Sequence, residues 1–248
     1  VTMPLYNQTF LVTGAGGGLG RIAALALAQQ RAQVILLDNN IEKLESIYDA
    51  IIETTETEPA IYPFDLVGAT EQDFNELADT VERKYRSLNG LVHSATEKPT
   101  LGPLSSISTQ AFEHSLSLNL NAPFLLTKVL VPLLEKNTHA AIVFTSDSTA
   151  RKGTAYSSAY GVAKIAVEGF ALIIADELES AGKIRVNILV PGKVDTPVRN
   201  HLFPGENKSS LAKAESLTPI YQYLLGSESI GITGQVIEAE VFNLTNAL

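Results

Sequence analysis

The chain has 248 residues, 45% of them hydrophobic, which suits one large α/β domain or two small ones. A net charge of −9 and a pI near 5.0 argue against a polyanion-binding surface, and so against nucleic acid. The absence of cysteine excludes disulfides, thiolate catalysis and cysteine-ligated zinc. No apolar run approaches the roughly 20 residues of a membrane span. No charged-then-apolar signal segment opens the chain, so a soluble, cytoplasmic protein acting away from membranes is expected.

Phe10, Leu11 and Val12 end a short apolar run that reads as a buried strand, and Ile22, Ala26 and Leu27 continue at helical spacing. Between them lie Gly14, Gly16, Gly17, Gly18, Leu19 and Gly20, so the chain turns sharply from strand to helix. Glycine lets backbone approach a ligand closely, and a helix start offers unpaired N–H groups and a positive dipole end. The turn therefore suits a pyrophosphate, or is only a turn; its Gly-x-x-x-Gly-x-Gly spacing differs from G-x-G-x-x-G.

Gln33–Leu37 is a second strand with Asp38 at its end, and Ile41–Thr54 is helical by period. Ala60–Phe64 is a third strand, followed by Asp65 and Leu66, and Thr70–Arg86 a third helix. Gly90–His93 is a short fourth strand. Phe112–Lys136 is a long apolar-striped segment, with bends expected at Pro123 and Pro132. Ala140–Phe144 is the fifth strand, Ala159–Leu178 a long Ala-rich helix, and Arg185–Val190 the sixth strand, followed by Pro191 and Gly192. This alternation predicts a parallel sheet covered on both faces, in a single domain spanning 1–248. Ligands of such sheets bind beyond the C-terminal strand ends.

Asp38 lies 24 positions after Gly14. A carboxylate there can accept from a ribose 2′-OH and repel a 2′-phosphate, and Asn39 and Asn40 bring no positive charge to welcome that phosphate. NAD is therefore favoured over NADP; the other reading of Asp38 is a residue capping the next helix. Tyr160 and Lys164 share a helix face at i and i+4. An ammonium beside a phenol lowers its pKa and makes it a usable acid/base, or the two are ordinary surface side chains. Asn119 holds a water for proton relay or bonds to backbone where the helix bends. His93, His114, His139 and His201 are scattered without ligand spacing, so no metal site is expected. Glu53, Glu56 and Glu58 read as a solvated helix end.

Together these residues resemble the short-chain dehydrogenase/reductase family over nearly the whole chain: Thr13, Gly14, Gly18 and Gly20; Asn119; Tyr160 and Lys164; Pro191, Gly192 and Thr196. The tail, with Leu202–Gly205, Thr218–Tyr221 and Thr233–Gln235, is similar to the bacterial YciK-type branch. The resemblance implies a doubly wound, seven-stranded Rossmann fold with NAD(H) across the strand ends. It implies Tyr160 as proton donor to a carbonyl or acceptor from an alcohol. Lys164 would hold the nicotinamide ribose and depress the tyrosine pKa, with Asn119 in a water relay. Val194 and Thr196 would meet the carboxamide, Asp65 and Leu66 the adenine, and Ser94 and Ala95 the ribose side. Segment 193–217 would be a substrate lid, and the segments Phe112–Lys136 and Ala159–Leu178 would pair copies into a homodimer or homotetramer.

Two positions depart from the family pattern. Its Asn-Ala-Gly reads Ser94-Ala95-Thr96, and threonine resists a positive φ, so that loop is expected to be reshaped. Its serine, thirteen positions before the tyrosine, is Asp147. An ionised aspartate cannot donate to a substrate carbonyl and raises the tyrosine pKa. Either Asp147 turns away and Ser146 or Ser148 substitutes, or Asp147 stays protonated, or reduction is impaired. The expected function is NAD-dependent interconversion of an alcohol and a ketone or aldehyde on a small molecule. The alternative is a catalytically weak, NAD(H)-binding sensor or interaction protein.

Overall fold

In a computed structural model, which describes residues 5–242, strands and helices alternate as the hydrophobic pattern requires. The strands are β1 (Thr9–Thr13), β2 (Gln33–Asp38), β3 (Ala60–Pro63), β4 (Gly90–His93), β5 (Ala140–Thr145), β6 (Ile184–Val190) and β7 (Val236–Glu238). Between them run α1 (Gly18–Ala28), α2 (Ile41–Thr54), α3 (Glu71–Tyr85), α4 (Thr109–Leu116), α5 (Ala122–Leu134), α6 (Ser148–Arg151), α7 (Ser158–Glu179), α8 (Pro197–Leu202) and α9 (Thr218–Leu225). The seven strands pair in parallel in the order β3-β2-β1-β4-β5-β6-β7. Leu11 stands opposite Ile35 on one side and Leu91 on the other. The chain winds outward from β1 to β3, then returns to place β4 on the other flank of β1. The connections leaving β1 and β4 therefore diverge at their C-terminal ends and open a crevice there.

Every residue of β1, β4, β5 and β6 is buried, because helices cover both faces of the sheet. Val12, Val34, Leu36 and Val143 pack with Leu27, Leu44 and Leu224 on one face. Leu11, Ile35, Leu91 and Ile142 pack with Phe74, Leu130 and Val167 on the other. Each such side chain contributes about 1.5–3 kcal/mol over leaving it exposed, so these two layers hold the fold. Local signals set the helix starts: Asn40 caps α2 by accepting from the Lys43 N–H, and Thr70 and Asp73 form a capping box on α3.

The long apolar segment breaks differently from expectation. A π-turn at Ser117–Asn121 separates α4 from α5, upstream of Pro123. Pro123 follows that π-turn within a helical path that runs on from α4 into α5, and Pro132 is accommodated inside α5 near its end. The seventh strand is three partly exposed residues, too short for a periodic signal. By length and composition two helical stretches, Thr109–Leu134 and Ser158–Glu179, are apolar enough to cross a membrane, contrary to the sequence expectation. In the fold one side of each packs into the core beneath the sheet.

Candidate active site

The cleft is built on the turn after β1. Gly14 has φ +63°, and a Cβ there would lie 2.7 Å from the Cα of Ala95. A Cβ on Gly20 would lie 2.1 Å from the Gly14 carbonyl oxygen, so glycine is required for α1 to start tight against the turn. Thr13 Oγ1 accepts from the backbone N–H groups of Ser94 and Ala95, both at 3.1 Å, tying the ends of β1 and β4 together. Gly14, Gly17, Gly18 and Leu19 then line a cleft of about 480 Å³ with Asp38, Asn39, Ser94, Tyr160, Lys164, Pro191, Gly192, Val194 and Thr196. Such a glycine cradle at a helix start, with no Cβ in the way, fits a dinucleotide pyrophosphate.

At one end of the cleft, Asp38 is already engaged. Its Oδ2 accepts from the Gly16 N–H at 3.2 Å and its Oδ1 from the Asn40 N–H at 3.0 Å, so it braces the glycine turn against the start of α2. Lys43 lines the cleft beside it, with its Cβ 2.5 Å from where a Gly16 Cβ would stand. Gly16 and Gly20 act behind the cleft wall. Asp65 is exposed and caps its own turn through the Val67 N–H, away from the cleft. Leu66 and Ala95 border only a small inner void with Asn119. Asp65 and Leu66 are not part of the lining of the large cleft.

At the other end, α7 presents Tyr160 and Lys164, which are 4% and 5% exposed. The Lys164 Nζ donates to the Thr145 carbonyl at 3.1 Å and lies over the Tyr160 ring. Burial lowers the Lys164 pKa, and Asp147, Glu97 and Glu168 partly restore it. Asp147 does not turn away. It caps its own turn, its Oδ1 accepting from Thr149 N–H and Oγ1, and its Oδ2 accepts from the Tyr160 hydroxyl at 3.0 Å. Burial, then the Asp147 charge and hydrogen bond, then Glu97 push the Tyr160 phenol well above its ordinary value. Ser146 is taken by Glu168, which also pairs with Arg151 at 2.8 Å. Ser148 opens α6 and lines the cleft without displacing Asp147. Substitution by a neighbouring serine is thus not the arrangement the chain adopts.

Asn119, on the π-turn, is 2% exposed and fully committed. Its Nδ2 donates to Glu97 Oε2 at 2.9 Å and to the Ser115 carbonyl at 3.0 Å, and its Oδ1 accepts from Thr96 Oγ1 at 2.8 Å. The void between Asn119 and Lys164 is about 10 Å³, at the lower limit for one water. Thr96 is not among the residues of positive φ; the loop after β4 adapts and turns its hydroxyl to Asn119. Lys43, Glu97, Lys98 and Arg199 were not singled out in the sequence, yet all line the cleft. For Glu97 the available signal was its place just beyond a strand end. The 193–217 segment carries α8, the Val194–Ala212 bridge and an Arg199–Glu206 ion pair at 2.7 Å. Among the described residues no group of acidic or histidine side chains could hold a metal ion.

A family model described as short chain dehydrogenase matches residues 8–207. The chain is similar to the uncharacterized oxidoreductase YciK of Escherichia coli K12, 36% identical over 95% of this chain and 93% of that protein. It also superposes on two crystal structures at a TM-score of 0.92 and 36% identity. One, a short-chain dehydrogenase from Shigella flexneri 2a complexed with NADP, is matched over 96% of this chain and 99% of that one. The other, from Escherichia coli CFT073 and complexed with NADPH, is matched over 97% and 100%. These complexes overturn the expectation of NAD. The inference from Asp38 gave its carboxylate to a ribose, whereas in the structure each of its oxygens already accepts from a backbone N–H. The inference from residues 39 and 40 missed the cation that the first turn of α2 brings to the same wall, Lys43.

Proposed function

The chain belongs to the short-chain dehydrogenase family, and from that premise we propose that it is an NADP(H)-dependent reductase of a small ketone or aldehyde. The observation that carries this reading is the convergence of Tyr160, Lys164 and the glycine turn on one cleft. The turn Gly14–Gly20 would cradle the pyrophosphate, Lys43 the 2′-phosphate, and Val194 and Thr196 the carboxamide. When bound, the nicotinamide supplies the hydride. Tyr160 would give its proton to the carbonyl oxygen as the carbon takes the hydride, yielding the alcohol and the oxidised nucleotide; solvent then returns the proton to Tyr160. Lys164 would orient the nucleotide ribose and offset the charge left on the phenol. Burial, and then Asp147, keep that phenol protonated, so Tyr160 would hold its proton ready for a carbonyl oxygen near neutral pH.

The test is NADPH consumption with a panel of ketones and aldehydes. Tyr160→Phe is expected to lower kcat by at least about a hundredfold, the scale of a general acid, with NADPH affinity within a few-fold. Retained turnover in that variant overturns the mechanism. A second reading, a nucleotide-binding member with weak turnover, is favoured by the hydrogen bond that ties the Tyr160 hydroxyl to Asp147; a large gain in turnover on Asp147→Ser would support it. The copies are proposed to associate through α5 and α7, where Phe124, Val162, Ile165, Leu172 and Ile173 are exposed, and light scattering reads this directly.

A further inference from the structure

Beyond Tyr160 the cleft adjoins a second cavity of about 280 Å³, bordered by Glu97, Ser108, His114, Ser115, Ser158 and Tyr160. Glu97 and Tyr160 line both spaces, so the carboxylate of Glu97 stands where a molecule beside the reactive phenol would extend. Glu97 is held firmly: Oε1 accepts from Ser115 Oγ at 2.7 Å and Oε2 from Asn119 Nδ2 at 2.9 Å. A carboxylate has about four acceptor positions, so two remain.

The charges around this junction do not balance. Among the described residues neither Glu97 nor Asp147 has a cation within 4 Å. Arg199 is committed to Glu206 through two hydrogen bonds of 2.7 and 2.8 Å, and Lys98 reaches the cleft from an exposed position. The buried ammonium of Lys164 acts on Asp147, Glu97 and Glu168, and Arg199 also acts on Asp147, so Glu97 is left with an ammonium it does not touch. The second cavity also holds a polar group that no other residue engages. The enclosed Ser158 Oγ, which borders the second cavity with Glu97, has no protein partner. An enclosed polar group without a partner marks room for a polar ligand, and a carboxylate with open acceptor positions and no cation within hydrogen-bond reach favours a charged donor.

We propose that the substrate is an amino ketone or amino aldehyde whose protonated amine binds Glu97 while its carbonyl meets Tyr160. This rests on the reductase reading above. Asp147 strengthens the selection by adding a second negative charge beside the reacting oxygen, which disfavours carboxylate-bearing substrates by like-charge repulsion.

The experiment compares matched ketones of equal length: an ω-ammonium ketone, its neutral hydroxy isostere and the corresponding keto acid, each with NADPH. The wild type is expected to prefer the ammonium member by at least tenfold in kcat/KM, chiefly through KM, with the keto acid poorest. Glu97→Gln should collapse that preference towards unity. Equal use of ammonium and hydroxy members by the wild type, or an unchanged preference in Glu97→Gln, overturns the proposal. Binding is read separately, as the thermal shift of the NADPH-loaded protein with the matching amino alcohol and diol. A larger shift for the amino alcohol, lost in Glu97→Gln, supports the cation site even if no ketone turns over, in which case the reductase reading alone fails. Equal shifts refute the cation site.

Discussion

The Tyr160 hydroxyl donates to Asp147 Oδ2 at 3.0 Å, and Asp147 is fixed for this by the Thr149 N–H and Oγ1, each 2.8 Å from its other oxygen. A serine at this position would offer a donor to the substrate oxygen; aspartate instead takes the donor that Tyr160 would otherwise point at it. The pair therefore stores the proton on the phenol, since deprotonation would place two negative charges in contact within a buried site.

Removing that charge should move the pH profile. Tyr160 must be deprotonated to accept a proton from an alcohol, so the oxidation rate of the wild type is expected to rise only at alkaline pH. In Asp147→Ser the phenolate no longer meets a carboxylate, and the rising limb should shift to lower pH by about one unit or more, the effect of losing a neighbouring like charge. A pH–kcat profile in the oxidation direction decides it; a limb that stays in place shows that burial alone sets the phenol.

Lys43 supplies positive charge beside Asp38. Lys43→Ala should weaken NADPH binding roughly tenfold, as expected from losing one hydrogen bond to a charged group, and leave NADH binding little changed. Nicotinamide fluorescence titration measures both. Equal losses for the two nucleotides would place the 2′-phosphate elsewhere.

Gly20→Ala would set a Cβ 2.1 Å from the Gly14 carbonyl oxygen, a backbone atom that no side-chain rotation can relieve. Overpacking of this kind costs about 1–3 kcal/mol, and here it also shifts the turn that would hold the pyrophosphate. A Tm lower by several degrees and loss of nucleotide binding are expected together; a variant with wild-type Tm and affinity would show that the turn is free to open.

His93 gives stability a pH dependence. It is buried, stacked on Phe144 with ring centroids 4.5 Å apart, and within 2.9 Å of Thr127 Oγ1. Burial, with Lys164 adding repulsion, lowers its pKa from 6.5 to about 3. The unfolded chain binds the proton first, so the full contribution is present above pH 6.5 and is lost progressively as pH falls towards 3. The loss is about 1.4 kcal/mol per pH unit in that window. Urea unfolding at pH 6 and pH 4.5 should show a shallower dependence in His93→Gln than in the wild type; identical slopes would mean the imidazole charges within the fold.

The sequence by itself determined the alternation of strands and helices, the glycine turn at Gly14–Gly20, and the i, i+4 pairing of Tyr160 with Lys164. Each of these is written in local spacing, which hydrophobic period and backbone sterics translate without reference to the rest of the chain. It also showed that position 147 holds an aspartate, but not where its carboxylate goes. Only the tertiary structure decided that Asp147 meets the Tyr160 hydroxyl, that Asp38 accepts from the Gly16 and Asn40 N–H groups, and that Glu97 reaches Asn119 and the edge of the reactive cleft. These partners come from different elements. Their encounter depends on sheet order and on how each loop turns beyond its strand, and neither is encoded in the spacing of any one segment.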